Sequence, residues 1–247
     1  MCTLSVVTHD SGYYLAMNRD ELVSRGAAAP PAQFDLGKTR AIYPRDIAGG
    51  TWIAANSHGV AFALLNWNDV PQSGASKQRS RGCVIPNLIR LNPSHEVTAA
   101  LPHLDLKGIM PFRLVGVFPA EMRMWEWRWN HEKLESEPHD WERRHWFSSG
   151  LSDEQAARQR SAVCQSSWNE EGAGSLPWLR RLHSSHVHGP GPFSLCVHRE
   201  KVTTLSYTEF ICTPEKVECN YFTGSPCTMR GIDSSVEIAR ASRWEDH

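Results

Sequence analysis

The second residue of the chain is a cysteine, and this position suits an N-terminal nucleophile. Methionine aminopeptidase removes Met1 when the next side chain is small, and Cys2 would then carry a thiol and a free α-amine. Such an amine has a pKa of about 7.7–8.0 and can serve as the general base for the thiol. For Cys2 taken by itself, a buried cysteine without a catalytic function is the alternative interpretation.

Four polar residues, Asn18–Glu21, follow a segment with the pattern of a β-hairpin. Residues 2–17 read as two strands joined by a turn. Because the two ends of an antiparallel hairpin lie side by side, we expect Arg19 to face the thiol and Asp20 to hold the α-amine. The guanidinium is expected to lower the pKa of the thiol. The alternative is a solvated turn at the start of a polar loop, which we predict over residues 18–31.

Another polar position follows a strand that is almost entirely apolar. Residues 60–65 form that strand, with 51–56 before it, and the composition is typical of a strand buried on both faces. Asn66 comes next, and its side-chain amide could donate a hydrogen bond to a developing oxyanion. Losing one such donor costs roughly 3–4 kcal/mol in other enzymes. The alternative is an asparagine in a turn that continues through Trp67 and Asn68.

The elements that must position these residues alternate between groups of strands and groups of helices. Hairpins dominate, which predicts mostly antiparallel sheets whose outer faces the helices can cover. No shift in composition marks a linker, so we predict one α+β domain over residues 1–247. The predicted helices are 83–91, 93–101, 153–168 and 175–183. Further strands are predicted at 112–118, 122–129, 144–147, 193–198, 201–207 and 217–222, with a short helix or a frayed tail after residue 230.

Composition excludes several classes of protein. The 247 residues carry 26 basic and 27 acidic side chains, and nucleic-acid binding normally requires a basic excess. The longest apolar run, residues 59–65, is far below the roughly 18 residues needed to span a membrane. Seven cysteines without a CxxC motif, and the lack of a signal peptide, predict free thiols and a cytoplasmic location.

Several segments together resemble the NRDE family, which includes the transport-and-Golgi-organisation proteins. The most specific are Met1-Cys2-Thr3 and Asn18-Arg19-Asp20-Glu21. Further matches reach to about residue 210 and are Gly49–Trp52, Gly59–Asn66, Ser80–Gly82, Pro111–Val115, Cys196–Arg199 and Thr204–Ser206. This family is similar to N-terminal nucleophile hydrolases of the choloylglycine hydrolase and penicillin V acylase group. The resemblance implies a four-layer αββα fold and cleavage of non-peptide amide bonds.

The resemblance also implies roles for individual residues. Cys2 would be the nucleophile, with its α-amine as the base and Arg19 beside the thiol. Asp20 would hold the amine, and Glu21 is the alternative because the spacing differs by one residue. Asn66 would be the oxyanion donor. The candidate substrate-binding residues are Glu21, Trp67, Asn68 and Ser149.

Ser149 is a departure from the family pattern, because the superfamily often has a second asparagine in that neighbourhood. The late arginine of the bile-salt enzymes has no match either. These departures affect residues that would support efficient hydrolysis, so the sequence leaves two functions open. The first is an amidohydrolase that acts on a small acyl-amide without cofactor or metal, as a monomer or a homo-oligomer. The second is a carrier protein on the same fold that binds a lipid or haem.

A metal site is a third interpretation, based on the densest group of histidines. His183, His186 and His188 lie within six residues in a segment next to Gly and Pro. Neutral imidazole is a common zinc ligand. No cysteine pair or carboxylate motif accompanies the three histidines, so we favour a solvated loop, or one histidine oriented by a hydrogen bond.

Overall fold

The computed structural model describes residues 2–71, 79–187 and 189–241. The strands are β1 Cys2–His9, β2 Gly12–Leu22, β3 Ala29–Asp35, β4 Arg40–Arg45, β5 Ile53–Asn56, β6 Ala61–Asn66, β7 Phe112–Phe118, β8 Arg123–Trp129, β9 Leu134–Asp140, β10 Arg144–Ser148, β11 Val202–Cys212, β12 Lys216–Thr223 and β13 Ser234–Ala239. The α-helices are α1 Val84–Leu88, α2 Ser94–Ala100, α3 Asp153–Ser167 and α4 Leu176–His183.

These strands form two sheets in which all neighbouring strands are antiparallel. One sheet has six strands in the order β10-β1-β2-β11-β12-β13, and the other has seven in the order β3-β4-β5-β6-β7-β8-β9. The central core lies between the sheets, where Leu4 and Leu15 of the first face Ile53, Ala63 and Val115 of the second. The strand that begins at residue 2 is therefore an interior strand, paired on both sides.

The helices cover the outer faces, as expected, and complete four layers in the order αββα. Val84 and Leu88 of α1 pack with Phe62 on the seven-stranded sheet. Trp178 and Leu179 of α4 pack against the six-stranded sheet in a separate cluster. The predicted fold class is therefore confirmed. No helix among the described residues is long and apolar enough to span a membrane.

Strand β6 is nearly all apolar because both of its faces are buried. Phe62 and Leu64 belong to the cluster beneath the helices, while Ala61, Ala63 and Leu65 belong to the core between the sheets. Both faces are therefore removed from water, and Asn66 at the end of the strand is the first residue that is partly exposed. The prediction of a doubly buried strand is confirmed.

The predicted polar loop over residues 18–31 is wrong at both of its ends. Strand β2 continues to Leu22, so Asn18, Arg19 and Asp20 are buried residues of a strand. Each has partners that a loop would not supply; Asn18, for example, donates through Nδ2 to the carbonyl oxygens of His183 and Leu195. A run of polar residues indicates a loop only when their hydrogen bonds are made to water, and here they are made to other parts of the protein.

Other differences concern elements near the C-terminus and two edge strands. Residues 193–198 do not form a strand; they run through turns, and only isolated bridges join them to residues 191 and 203. The tail forms β13 beside β12, where the prediction gave a helix or a frayed end. Strands β3 and β9, at the two edges of the seven-stranded sheet, and β4 beside β3 were not predicted, because polar or Pro-containing sequences obscure their period of two. Of the loop predicted at 70–81, residues 72–78 lie outside the described residues.

Candidate active site

Cys2 lies directly opposite Arg19 across the β1–β2 pair and opposite Ser148 across the β1–β10 pair. The expected juxtaposition of Cys2 and Arg19 is therefore present in the ladder itself. Cys2 is 7% exposed, and its backbone N–H donates to Ser148 Oγ at 2.9 Å. The backbone nitrogen that would become the α-amine thus already faces a hydroxyl acceptor.

Arg19 projects into the space between the two sheets. Its guanidinium carbon lies 4.5 Å from the ring centroid of Trp52, which belongs to the opposite sheet layer. Its Nη1 is buried and has no hydrogen-bond partner among the described residues. A buried guanidinium with an unused donor favours an anion or a polarised oxygen nearby.

The pKa of the Cys2 thiol is raised, contrary to the expectation from Arg19. Burial is the largest cause, and the Asp20 carboxylate acts in the same direction. The positive charge of the amino terminus is the largest opposing cause, and a hydrogen bond from the Asp20 backbone and the Arg19 charge also lower the pKa, but they do not outweigh burial. At neutral pH the thiol is therefore protonated in the resting protein, and a base is needed to activate it.

Asp20 points to the other side of the sheet from Arg19, into a buried polar cluster. Its Oδ1 accepts a hydrogen bond from the Thr204 hydroxyl at 2.6 Å, and its Oδ2 lies 3.7 Å from Nη2 of Arg160. Both charged side chains are inaccessible to solvent. Burial raises the pKa of Asp20, and the Arg160 charge partly offsets that increase.

Arg160 is a residue of the site that the sequence did not reveal. It reaches from α3 to the strand of the nucleophile, where Nη1 donates to the Cys2 carbonyl oxygen at 3.3 Å and to Thr3 Oγ1 at 2.9 Å. The same nitrogen lies 3.4 Å from the Ser148 carbonyl oxygen. Nothing in the sequence of α3 separates this buried arginine from Arg158, which is mostly exposed on the same helix.

The face of the six-stranded sheet that carries the Cys2 and Arg19 side chains lines a cavity of about 370 Å³. Charged residues dominate its lining: the arginines are Arg19, Arg25, Arg79 and Arg81, and the acidic residues are Glu21, Asp46 and Asp20, of which Asp20 points its carboxylate to the other side of the sheet. The remaining lining residues are Cys2, Thr51, Trp52, Leu64, Asn66, Ser80, Gly82 and Met110. The cavity can therefore accommodate a small and polar molecule.

Two of the four arginines are neutralised by carboxylates. Arg25 pairs with Glu21 at 3.1 Å and with Asp46 at 3.2 Å, and Arg79 pairs with Asp105 at 2.5 Å. Glu21 is partly exposed and engaged with Arg25, whereas Asp20 is buried beside the Cys2 strand.

Arg81, by contrast, has no carboxylate within ion-pair distance among the described residues. Its Nε donates to the Pro111 carbonyl oxygen at 2.9 Å. Burial lowers the pKa of Arg81 to about 10, and the nearby Glu21 charge partly opposes that decrease. Arg81 and Arg19 therefore give the cavity an uncompensated positive charge.

Two glycines fix the loop that carries Arg81. The Thr51 N–H donates to the Gly82 carbonyl oxygen at 3.0 Å, and a Cβ built on Gly50 would lie 2.8 Å from the Gly82 backbone. The Gly49–Trp52 and Ser80–Gly82 segments thus meet backbone to backbone at the cavity wall. This contact is the physical reason why these two segments need glycine.

Asn66 lines the cavity together with Cys2, as its position at the end of β6 predicts. Trp67, Asn68 and Ser149 are not among the described residues that line it. Asn68 donates through its backbone N–H to Asp153 Oδ2 at 2.7 Å, and the backbone N–H of Ser149 donates to Asp153 Oδ1 at 2.5 Å. These two residues hold the start of α3 in place.

The histidine-rich segment divides into separate environments. His183 is fully buried, with Nε2 2.9 Å from Ser5 Oγ, and burial lowers its pKa to about 3. It therefore matches the expectation of a histidine oriented by a hydrogen bond. His186 lies elsewhere, beside the ring of His198. His188 lies outside the described residues.

Comparisons with known proteins agree with this architecture. The family model described as Transport and Golgi organisation 2 matches residues 1–203. The chain is similar in structure to the C2A mutant of conjugated bile acid hydrolase from Clostridium perfringens, with TM-score 0.54 and 11% identity over 97% of this chain and 92% of that one. It is also similar to penicillin V acylase from Agrobacterium tumefaciens, with TM-score 0.53 and 11% identity over 90% of this chain and 83% of that one. A search of curated proteins gave no significant match.

Proposed function

The chain belongs to the Transport and Golgi organisation 2 family, and we propose that this member is an N-terminal cysteine hydrolase. It cleaves a C–N amide bond of a small acyl-amide after Met1 has been removed. The observation that carries the proposal is the position of Cys2, which faces Arg19 in the ladder and lines a cavity together with Asn66. The similar fold of a bile acid hydrolase and a penicillin V acylase supports the same class of reaction.

The reaction begins with a proton transfer within one residue. The α-amine of Cys2 accepts the thiol proton. This transfer is needed because the raised pKa of Cys2 keeps the thiol protonated near neutral pH. Asp20, from its buried position, stabilises the resulting ammonium, and Ser148 Oγ keeps the nitrogen in place. We assign this function to Asp20 rather than to Glu21, because Asp20 is buried beside the Cys2 strand, whereas Glu21 is partly exposed and pairs with Arg25.

The thiolate then attacks the carbonyl carbon, and a C–S bond forms. The Asn66 side-chain amide donates to the oxygen that becomes negative. The C–N bond breaks, and the ammonium returns its proton to the departing amine. Water, deprotonated by the same α-amine, hydrolyses the thioester and regenerates the thiol, so no external oxidant or cofactor takes part.

The lining of the cavity supports a substrate with an acidic group. Arg81 and Arg19 present positive charge without an ion-paired carboxylate, and arginine binds carboxylate or phosphate oxygens in a bidentate manner. Among the described residues, the apolar side chains in the lining are Trp52, Leu64 and Met110. A lipid or haem carrier would need a more apolar cavity, so the lining favours the hydrolase over the carrier.

The test begins with the intact mass of the purified protein and the rate at which a thiol probe labels each cysteine. We expect Met1 to be absent and Cys2 to be labelled faster than the other buried cysteines. A panel of N-acyl amides, in matched pairs with and without a carboxylate, is then assayed with wild type and with Cys2→Ala. Cys83→Ser is the control, because Cys83 is a partly exposed thiol that does not line the cavity.

The expected result is hydrolysis by wild type and Cys83→Ser, no hydrolysis by Cys2→Ala, and an acyl adduct on Cys2 in the mass spectrum. Arg81→Met should raise KM for the acidic member of each pair and leave the neutral member unchanged. Retention of Met1 throughout the folded protein, or equal turnover by Cys2→Ala, would refute the mechanism. Measurement of ligand binding would then replace the search for hydrolysis.

A further inference from the structure

Four side chains with metal-binding chemistry converge at a place away from Cys2. They are His186, Cys196, His198 and Cys227, and one ligand atom from each lies within 4.8 Å of all the others. His186 follows α4, Cys196 and His198 precede β11, and Cys227 lies in a short helical turn after β12. None of these residues lines the cavity of the candidate active site.

The spacing of the ligand atoms matches the edges of a tetrahedron around zinc. Nε2 of His198 lies 3.5 Å from Cys196 Sγ and 3.4 Å from Cys227 Sγ. With Zn–S of about 2.3 Å and Zn–N of about 2.0–2.1 Å, a tetrahedral site has S···N edges of about 3.5 Å. Neither contact needs to change length appreciably for the two thiolates and this imidazole to share one ion.

His186 supplies the fourth ligand. Its ring centroid lies 4.8 Å from that of His198, and its Nε2 is buried without a hydrogen-bond partner among the described residues. A hydrogen bond with the Cys196 backbone also holds this imidazole. One ring nitrogen of His186 lies within 4.8 Å of both thiol sulfurs and of a His198 ring nitrogen, and metal-binding histidines usually hold their second nitrogen in a hydrogen bond.

We propose that His186, Cys196, His198 and Cys227 bind one Zn²⁺ as a structural Cys₂His₂ site. Two thiolates and two imidazoles in a tetrahedral arrangement select zinc among the common divalent metals. Four protein ligands leave no open position for water, so the ion would stabilise the fold and not act on a substrate. Binding releases the thiol protons, and the net charge of the two thiolates and the ion is zero.

The site would join the segment between α4 and β11, which supplies three ligands, to the turn that supplies Cys227, where the Ser184 hydroxyl already donates to the Pro226 carbonyl oxygen at 3.1 Å. The described residues of 184–201 contain neither helix nor strand, and the ligands connect this segment to the turn at Cys227. Val197, between two of the ligands, donates its N–H to Thr204 Oγ1 at 2.9 Å, and the Thr204 hydroxyl donates to Asp20. The zinc site would therefore also position the residues that orient the Asp20 carboxylate.

The sequence did not reveal this site because the spacing is unusual. Cys196 and His198 are two residues apart, and Cys227 and His186 lie farther away along the chain. Zinc fingers are recognised by pairs of ligands such as CxxC, which the chain lacks. The only part that composition suggested was the group of histidines, of which His186 alone belongs to the proposed set.

The test measures metal content in the full-length protein. Protein produced in zinc-supplemented medium is exchanged into metal-free buffer, and its zinc, iron and copper contents are measured by mass spectrometry. We expect near-stoichiometric zinc in wild type and in the controls Cys83→Ser and His95→Ala, which change residues far from the cluster. Cys227→Ser and His198→Ala should bind zinc at least about 100-fold more weakly, since changes outside the ligand set already cost 10–100-fold.

Two further measurements do not depend on variants. Cobalt added to metal-free wild type should give the thiolate-to-cobalt charge-transfer band and the d–d bands of a tetrahedral S₂N₂ site. X-ray absorption at the zinc edge should give two sulfur and two nitrogen neighbours. Iron or copper in place of zinc, a Cys196–Cys227 disulfide without metal, or zinc that persists in both ligand variants would overturn the proposal.

The outcome is independent of the proposed hydrolase. Cys2→Ala should bind zinc like wild type, because Cys2 lies outside the cluster. Failure to find an amide substrate therefore does not refute the metal site, and a protein found without metal does not refute the nucleophile mechanism. Cys227 is exposed, so its replacement by Ser is expected to preserve folding.

Discussion

Arg160→Met tests whether the buried guanidinium compensates the Asp20 carboxylate next to the nucleophile strand. Both side chains have no solvent exposure, and Arg160 also donates to Thr3 and to the backbone of Cys2. Removing one partner of a buried ion pair costs about 3–5 kcal/mol, because the remaining charge stays in a poorly solvating environment. For a chain of this size, that corresponds to a decrease in Tm of roughly 6–20 °C.

The pH dependence of this loss has a defined sign. Burial already raises the pKa of Asp20, and Arg160 counteracts that increase. Without Arg160 the folded-state pKa moves further above the unfolded value of about 3.9. A carboxyl whose pKa is higher in the folded state binds more protons there than in the unfolded state. Stability is therefore lost as pH rises from the unfolded pKa toward the folded pKa. The deficit of Arg160→Met is therefore larger at pH 7 than at pH 5.

Urea unfolding at both pH values measures the effect, with Arg158→Met as the matched control on the same helix. Arg158 is mostly exposed, and its pair with Glu154 is long at 3.9 Å, so its loss should cost less than about 0.5 kcal/mol. Asp20→Asn combined with Arg160→Met should cost less than the sum of the single variants, by about 0.5–3 kcal/mol. A deficit equal to that of Arg158→Met, or one that does not change with pH, would refute the reasoning.

Two other substitutions test the surroundings of the cavity. Thr204→Val removes the hydroxyl that donates to Asp20 at 2.6 Å, and we expect a loss of about 1.5–3 kcal/mol in the free energy of unfolding. Gly50→Ala would place a Cβ 2.8 Å from the Gly82 backbone, and the overpacked contact should cost about 1–3 kcal/mol by thermal unfolding.

Each of these has a control within the chain. Thr208 lies on the same strand as Thr204, and its buried hydroxyl has no hydrogen-bond partner among the described residues, so Thr208→Val should be neutral or slightly stabilising. A Cβ on Gly231 would meet no atom of the part of the chain that the structure describes within 4 Å, so Gly231→Ala should leave Tm unchanged. Equal losses in Thr204→Val and Thr208→Val, or in the two glycine variants, would show that the assigned contacts are not the cause.

The sequence was most informative where a side chain's type and the backbone pattern agreed. The hairpin at the N-terminus predicted that Cys2 and Arg19 lie side by side, and the apolar strand before Asn66 predicted an amide at the same cavity. These relations follow from strand pairing alone, which depends on residues close in sequence. The family resemblance then supplied the four-layer arrangement, which no local pattern contains.

The parts that could not be predicted depend on partners that are distant in the chain. Asp20 was expected at a loop because a carboxylate without a known partner is assumed to face water. Its partners, Thr204 and Arg160, are 184 and 140 residues away. The burial of Arg160 likewise has no local signature. Segment 193–198 was predicted as a strand from its apolar residues, but turns shape it.

The place of Cys2 in the six-stranded sheet also sets an order of events during synthesis. Its backbone N–H is bonded to Ser148, which leaves the ribosome 146 residues later. At roughly 5–20 residues per second, that interval lasts roughly 7–30 s. Once β10 pairs with β1, residue 2 is buried, so methionine removal and sheet closure compete for the same backbone nitrogen. We expect aminopeptidase added to a refolded, unprocessed chain to leave Met1 in place, and to remove it when added before refolding; equal removal in both cases would contradict this order.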